Sequence, residues 1–160
     1  MKTLILVRHA KSSWEFNLRD HDRPLKPRGF KDANLVFEAL KNEIRPDIII
    51  SSDANRAKTT AEIYATKINI SKDEIILNNF LYDFSGENLI QVVKNCKNAI
   101  NVLMIFGHNN AITNFVNRYG NVMIDNVPTC GLTIIEFNIE KWSELNKGNT
   151  VKTLFPRDLK

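Results

Sequence analysis

Cysteine is scarce in this chain: Cys96 and Cys130 are the only two in 160 residues. They form no CxxC pair and no metal-type spacing, so no disulfide framework or thiolate metal site is expected. Reduced thiols in a cytoplasmic protein are the simple reading. Long apolar runs are missing too. The opening MKTLILV stops at Val7, short for a secretory h-region of roughly 7–15 residues. No later stretch approaches the roughly 20 residues of a membrane span, so no membrane association is expected. Like charges never gather into a block. The net charge is +4 and the pI about 9.1, which fits an anionic ligand or acidic partner at least as well as nucleic acid, and no nucleic-acid partner is expected. There is no internal repeat, low-complexity tract or linker.

What is there is a regular alternation. Apolar residues make up 43% of the chain and charged residues 25%, as in a globular domain long enough to bury a core. Thr3–Val7, Asp47–Ser51, Glu74–Leu77 and Val102–Phe106 are short, continuous and β-branched, the pattern of strands buried on both faces. Cys130–Phe137 is a further strand candidate, and Thr150–Phe155 a weaker one at the edge. Between them, Gly29–Asn42 carries Phe30, Ala33, Phe37 and Leu40 at helical spacing, and Arg56–Lys67 repeats it through Ala57, Ala61, Tyr64 and Ala65. Glu87–Lys97 and Ala111–Tyr119 do so more weakly. This order predicts βαβ units: an α/β fold, a three-layer α/β/α sandwich on a mostly parallel sheet. The aperiodic stretch Ala10–Arg28, broken by Pro24 and Pro27 and followed by Gly29, is expected to be a functional loop.

The first strand ends in Arg8-His9 with no turn residue after it. The second runs into SSDANRAKTTAE, and the VLMIF strand ends in GHNN. Ligands of open α/β sheets bind at the carboxyl ends of parallel strands, so Arg8, His9, Arg56 and His108 are expected on one rim. Arg56 would stand in the first turn of its helix. Two guanidinium groups beside a helix N-terminus favour phosphate. No GxxxxGK[ST] is present, neither Cys is followed five residues on by the Arg of a thiolate phosphatase, and no DxDx[TV] follows a strand. Histidine remains as the nucleophile for phosphoryl chemistry.

LVRHA, SSDANRAKTTAE and GHNN together resemble the histidine phosphatase superfamily, the phosphoglycerate mutase-like proteins. RHAKSSW, RDHDRPLKPRG, LYDFSGENL and the short length are similar to its small branch, the SixA-type phosphohistidine phosphatases. The resemblance runs in order over nearly the whole chain, which implies one histidine phosphatase domain over residues 1–160. It also implies His9 as the phosphorylated nucleophile, Arg8 and Arg56 as phosphate ligands, and His108 as the second histidine on the phosphoryl group. No metal and no cofactor are implied. The implied partner is a phosphorylated histidine phosphotransfer protein or a small phosphorylated substrate. Where family members often have Glu or Asn and then Pro after the second histidine, this chain has Asn109-Asn110, and Asn serves as a helix N-cap.

Asp83 and Glu87 are the candidates for the carboxylic acid that larger, alcohol-phosphate members use. Ser12 and His21 are further candidates for substrate contact, His21 being as well explained by pairing to Asp20 or Asp22. Arg23 and Arg28 are read as salt-bridging within the loop, and Asp53 as leading into the helix. Trp14 and Phe16 are expected to form a small cluster beneath the loop. A zinc site built from His9, His21 and His108 is disfavoured because the arginines on the same rim repel a cation. The expected activity is hydrolysis of phosphohistidine through phospho-His9. The alternatives are a small-molecule phosphomonoesterase of the same superfamily and a non-catalytic phosphate-binding module.

Overall fold

The structure, a computed structural model, describes residues 1–160. Six strands form one sheet: β1 (Lys2–Arg8), β2 (Ile48–Ser51), β3 (Ile76–Leu77), β4 (Val102–Gly107), β5 (Leu132–Phe137) and β6 (Asn149–Leu154), in the order β3-β2-β4-β1-β5-β6. β1, β2, β3 and β4 run parallel, whereas β5 and β6 pair antiparallel at one side. The sheet is therefore mixed, with its parallel part where the expected rim lies.

The central strands are buried on both faces because both are covered. Leu4 and Leu6 of β1 pack with Ile105, Ile112, Phe115 and Val93 on one side. Ile5 and Val7 pack with Val36, Phe37, Tyr64 and Phe106 on the other. The helices α1 (Pro27–Leu40) and α2 (Asn55–Lys67) form that second layer; α3 (Glu87–Lys94) and α4 (Ala111–Tyr119) form the first. A short α5 (Pro156–Leu159) closes the chain. No helix is long and apolar enough to cross a membrane.

Several boundaries move for local reasons. α1 starts at Pro27, not Gly29: proline at the first helical position gives up an N–H that has no partner there anyway. Its buried stripe runs through Gly29, Ala33, Val36 and Leu40, and Phe30, on the flank, stays exposed. Gly29 is required by proximity, since a Cβ there would meet the Lys11 carbonyl oxygen at 2.3 Å. β3 shrinks to two exposed residues at the sheet edge, with Glu74 in a single 3-10 turn before it. α3 stops at Lys94, three residues short of the expected end. It leaves an apolar groove of about 680 Å³ beside Ile50, Ile76 and Val92. Cys130 and Gly131 precede β5 as a turn, with Cys130 at φ 59°.

Candidate active site

His9 follows β1 directly. Its backbone N–H donates to the Gly107 carbonyl and its carbonyl accepts from Cys130, so the end of β4 and the turn before β5 clamp it from both sides. The Ala10 N–H donates to Thr60 Oγ1, which donates in turn to the Arg56 carbonyl one helical turn back on α2. The loop after β1 is thereby pinned to the helix that carries Arg56. The His9 side chain is 7% exposed, and its Nδ1 lies 2.7 Å from the Ala10 carbonyl oxygen. A carbonyl only accepts, so the proton sits on Nδ1 and Nε2 keeps its lone pair. Arg56 Nε donates to that lone pair at 3.3 Å.

His108 follows β4, and its ring centroid stands 5.3 Å from that of His9. Its Nε2 is 2.8 Å from Ser52 Oγ. Tyr82 and Phe84 wall it, with ring centroids at 5.4 and 5.1 Å. Arg8 Nη1 donates to the Val127 carbonyl at 2.9 Å. Asn109 braces the same loop through Nδ2 on Asn126 and Val127, and its Oδ1 accepts from Thr113 N–H at 3.0 Å. Asn109, rather than Asn110, thus satisfies the free end of α4.

Arg56 is the second residue of α2, where a cation opposes the helix dipole. A carboxylate offsets this: Asp20, in the 3-10 turn Asp20–Asp22, accepts from Arg56 Nη2 at 2.9 Å, and its carbonyl accepts from Nη1 at 2.6 Å. Tyr82 O–H donates to the same carboxylate at 2.6 Å, and Arg23 Nε at 3.2 Å. Burial pushes the Asp20 carboxyl up, but the Tyr82 and Arg56 hydrogen bonds outweigh it and hold the pKa at about 2.

Both histidines are held neutral. Burial drives the His9 pKa well below 6.5; the Ala10 carbonyl opposes this, and His108, Arg56 and Arg8 add to it. Burial is also the main cause at His108, followed by Arg56, and brings it to about 3. Four buried side-chain polar atoms in the chain have no hydrogen-bond partner, and two of them, Arg8 Nε and His108 Nδ1, belong to this cluster. Buried polar atoms are nearly always satisfied, so these two await a partner that the protein itself does not supply.

Arg8, His9, Arg56 and His108, placed apart by sequence, are thus brought to one point. The other candidates border this cluster through partners of their own. Ser12 Oγ accepts from Arg23 Nη1 at 2.9 Å, inside the loop. His21 Nε2 pairs with Asp53 at 3.0 Å and its Nδ1 with Asp22 at 3.7 Å; it does not pair with Asp20, and its ring stands edge-on to Tyr82. Asp53 also accepts from Asn79. No group of three or more His, Cys, Asp or Glu side chains is placed to hold a metal ion. Arg23 bridges within the loop to Asp20, and Arg28 reaches Asp32 at 3.6 Å. Trp14 and Phe16 do not pack beneath the loop: they are 76% and 55% exposed, with the Arg23 guanidinium 3.4 Å from the Trp14 ring centroid.

Asp83 is committed to the backbone. Its carboxylate accepts from the N–H groups of Ser85, Gly86 and Leu89 at 3.0–3.2 Å, closing the turn into α3. Burial pushes its pKa up, and those N–H groups more than reverse the effect. Gly86 at φ 118° makes the turn possible. Glu87 is exposed in the first turn of α3. Sequence reasoning missed Asp20 as the partner of Arg56, and missed Tyr82, Phe84 and Ser52; the first three lie in quoted segments, RDHD and LYDF, that carry no periodic signal.

Residues 4–79 match the model of the histidine phosphatase superfamily, branch 1. The chain has the leading motifs and the fold of the histidine phosphatase superfamily. The protein histidine phosphatase SixA, solved with tungstate, superposes with a TM-score of 0.79 at 16% identity, over 99% of both chains. The Agrobacterium tumefaciens protein assigned as phosphohistidine phosphatase SixA gives 0.77 at 24% identity, over 96% of this chain and 97% of that one. Among curated proteins, an uncharacterized chloroplastic protein of Arabidopsis thaliana is 28% identical over 89% of this chain and 70% of its own length. An uncharacterized Mycobacterium tuberculosis protein is 29% identical over 64% of this chain and 62% of its own. The family match takes in Arg8, His9 and Arg56, and the solved neighbours share the fold over nearly the whole chain.

Proposed function

We propose that the protein hydrolyses phosphohistidine on a phosphotransfer protein, without a metal, through a covalent phospho-His9 intermediate. The observation that carries this reading is the His9 ring: Nδ1 is tied to the Ala10 carbonyl at 2.7 Å, Nε2 is left as a lone pair, and two arginines flank it. Nε2 attacks phosphorus, and Arg8, Arg56 and His108 neutralise the equatorial oxygens. The substrate N–P bond breaks, and the departing ring, protonated on its other nitrogen from solvent, leaves as neutral imidazole. In the second step water attacks phospho-His9. Because Nδ1 has kept its proton, the His9 N–P bond breaks to return a neutral ring, and the water proton departs with inorganic phosphate. Neither step needs a carboxylic acid.

The carboxylates support that choice of leaving group. An alkoxide needs an acid, but Asp20, whose charge acts on His108, is ionised at neutral pH and shared by Arg56, Tyr82 and Arg23. Asp83 is spent on α3. Beside His108 stand the Tyr82 and Phe84 rings. The test is turnover of a phosphohistidine peptide against p-nitrophenyl phosphate and a sugar phosphate, with EDTA present and His9→Ala alongside. Wild-type turnover best on the phosphohistidine peptide, and none by the variant, is expected. Residual activity in His9→Ala overturns the nucleophile. Preference for the sugar phosphate overturns the substrate class, and phosphate binding without turnover reduces the protein to a binding module.

A further inference from the structure

We propose that Ser52 is a positioning residue that fixes His108 as the Nδ1–H tautomer, so that a neutral ring presents a donor to the phosphoryl group. This rests on the reading that the cluster binds phosphate. Ser52 immediately follows β2, is fully buried, and is anchored by its backbone N–H on the Phe106 carbonyl at 3.0 Å, two residues before His108. Its Oγ already accepts the Ala54 N–H at 3.2 Å, and stands 2.8 Å from His108 Nε2. A hydroxyl owns one hydrogen, and the acceptor within reach of it is Nε2.

If the hydroxyl donates, Nε2 is the lone pair and the ring proton sits on Nδ1, the buried atom without a partner. Every group is then either satisfied or poised to donate to an anion. In the opposite tautomer the Ser52 hydrogen would be buried without an acceptor, and Nδ1 would turn a lone pair toward phosphoryl oxygens. With the anion bound that costs one unsatisfied buried donor and adds a repulsion, whereas without it each tautomer leaves one buried hydrogen unpaired. The bound anion and the Ser52 hydroxyl therefore select the same tautomer together. Because Ala54 and Arg56 follow in the same turn, this one segment aims both the guanidinium that touches His9 and the ring that faces it.

The experiment is ¹⁵N NMR of the histidine side chains with saturating inorganic phosphate near neutral pH. The three resonance sets are assigned with His9→Ala and His108→Gln. Wild-type His108 is expected to show a protonated Nδ1 and a bare Nε2. Ser52→Ala is expected to mix the two forms, and Ser52→Thr, which keeps the hydroxyl, to restore the first. Inorganic phosphate affinity and kcat are expected to fall roughly two- to threefold in Ser52→Ala, in proportion to the rings left in the donor tautomer, and to recover in Ser52→Thr. A wild-type His108 protonated on Nε2 overturns the proposal, as does a Ser52→Ala protein whose tautomer and phosphate affinity match wild type. The tautomer is read on the phosphate complex without turnover, so a protein that binds phosphate but proves inactive would refute the phosphatase reading while this test kept its own answer.

Discussion

Lowering the pH from 7 to 4 is expected to cost the fold about 3 kcal/mol through His108 alone, as its burial dictates. The ring is 1% exposed, and burial with the Arg56 charge brings its pKa to about 3. In the unfolded chain it titrates near the usual 6.5. Between those values the unfolded state binds a proton that the folded state refuses, so stability falls as pH falls. The contribution is intact above pH 6.5 and is fully lost near pH 3. At pH 4 nearly all unfolded chains carry the proton and the folded ring is still mostly neutral, so at about 1.4 kcal/mol per pH unit the loss is about 3 kcal/mol. That is a large share of a total stability of roughly 5–15 kcal/mol. The assay is urea unfolding at both pH values for wild type and His108→Gln, whose side chain does not titrate. At an m-value of about 2 kcal/mol per molar, the wild-type midpoint should drop roughly 1.5 M further than that of the variant. Identical pH dependences would refute the argument, because His9 and every carboxylate are common to both proteins.

Replacing Asp83 by Asn should destabilise the chain by about 1–2 kcal/mol, the cost of a lost helix cap, with kcat on phosphohistidine essentially unchanged. A collapse of kcat at full stability would instead make Asp83 the acid. Gly29→Ala puts a methyl 2.3 Å from the Lys11 carbonyl, and should lower stability by about 2 kcal/mol or more in thermal or urea unfolding. A wild-type midpoint would mean that the loop after His9 yields freely. Arg56→Lys keeps a cation but not the fork that reaches Asp20 and His9 together. Phosphate affinity by calorimetry should fall roughly ten- to a hundredfold, and an unchanged value would show that charge alone suffices.

How much of this was legible follows from where each residue sits. Arg8 and His108 close or follow strands whose apolar runs mark them, and Arg56 opens a periodic helix, so βαβ logic carries all three to one rim beside His9. Asp20 and Tyr82 reach the site from segments whose shape is set by tertiary hydrogen bonds, and no spacing in RDHD or LYDF reveals that Asp20 binds Arg56. Ser52 reads as an ordinary serine until the distance to His108 is known. Trp14 shows the opposite failure: its aromatic character suggested burial, yet the Arg23 guanidinium covers its face and leaves it 76% exposed. β3 looked like a buried strand because Ile75, Ile76 and Leu77 are apolar in sequence, but it lies at the sheet edge, where α3 is too short to cover it.

The same charges account for the proposed activity and for the expected loss of stability in acid. Arg8 and Arg56 supply two positive charges in a buried site, and Asp20 offsets one of them. Adding a protonated histidine there would be opposed by burial and by both guanidinium groups, so the rings stay neutral. That state is the one phosphoryl transfer requires, because an imidazolium has no lone pair to attack with. A dianionic phosphoryl group changes the balance on arrival. It supplies the acceptors that Arg8 Nε and His108 Nδ1 lack, and it lowers the repulsion that keeps protons off the rings. Phosphate binding should therefore raise both histidine pKa values and blunt the acid destabilisation. A urea midpoint at pH 5 that rises more with saturating sulfate, a dianion at both pH values, than the midpoint at pH 7 would show this coupling, and equal increments would mean that the rings titrate independently of the anion.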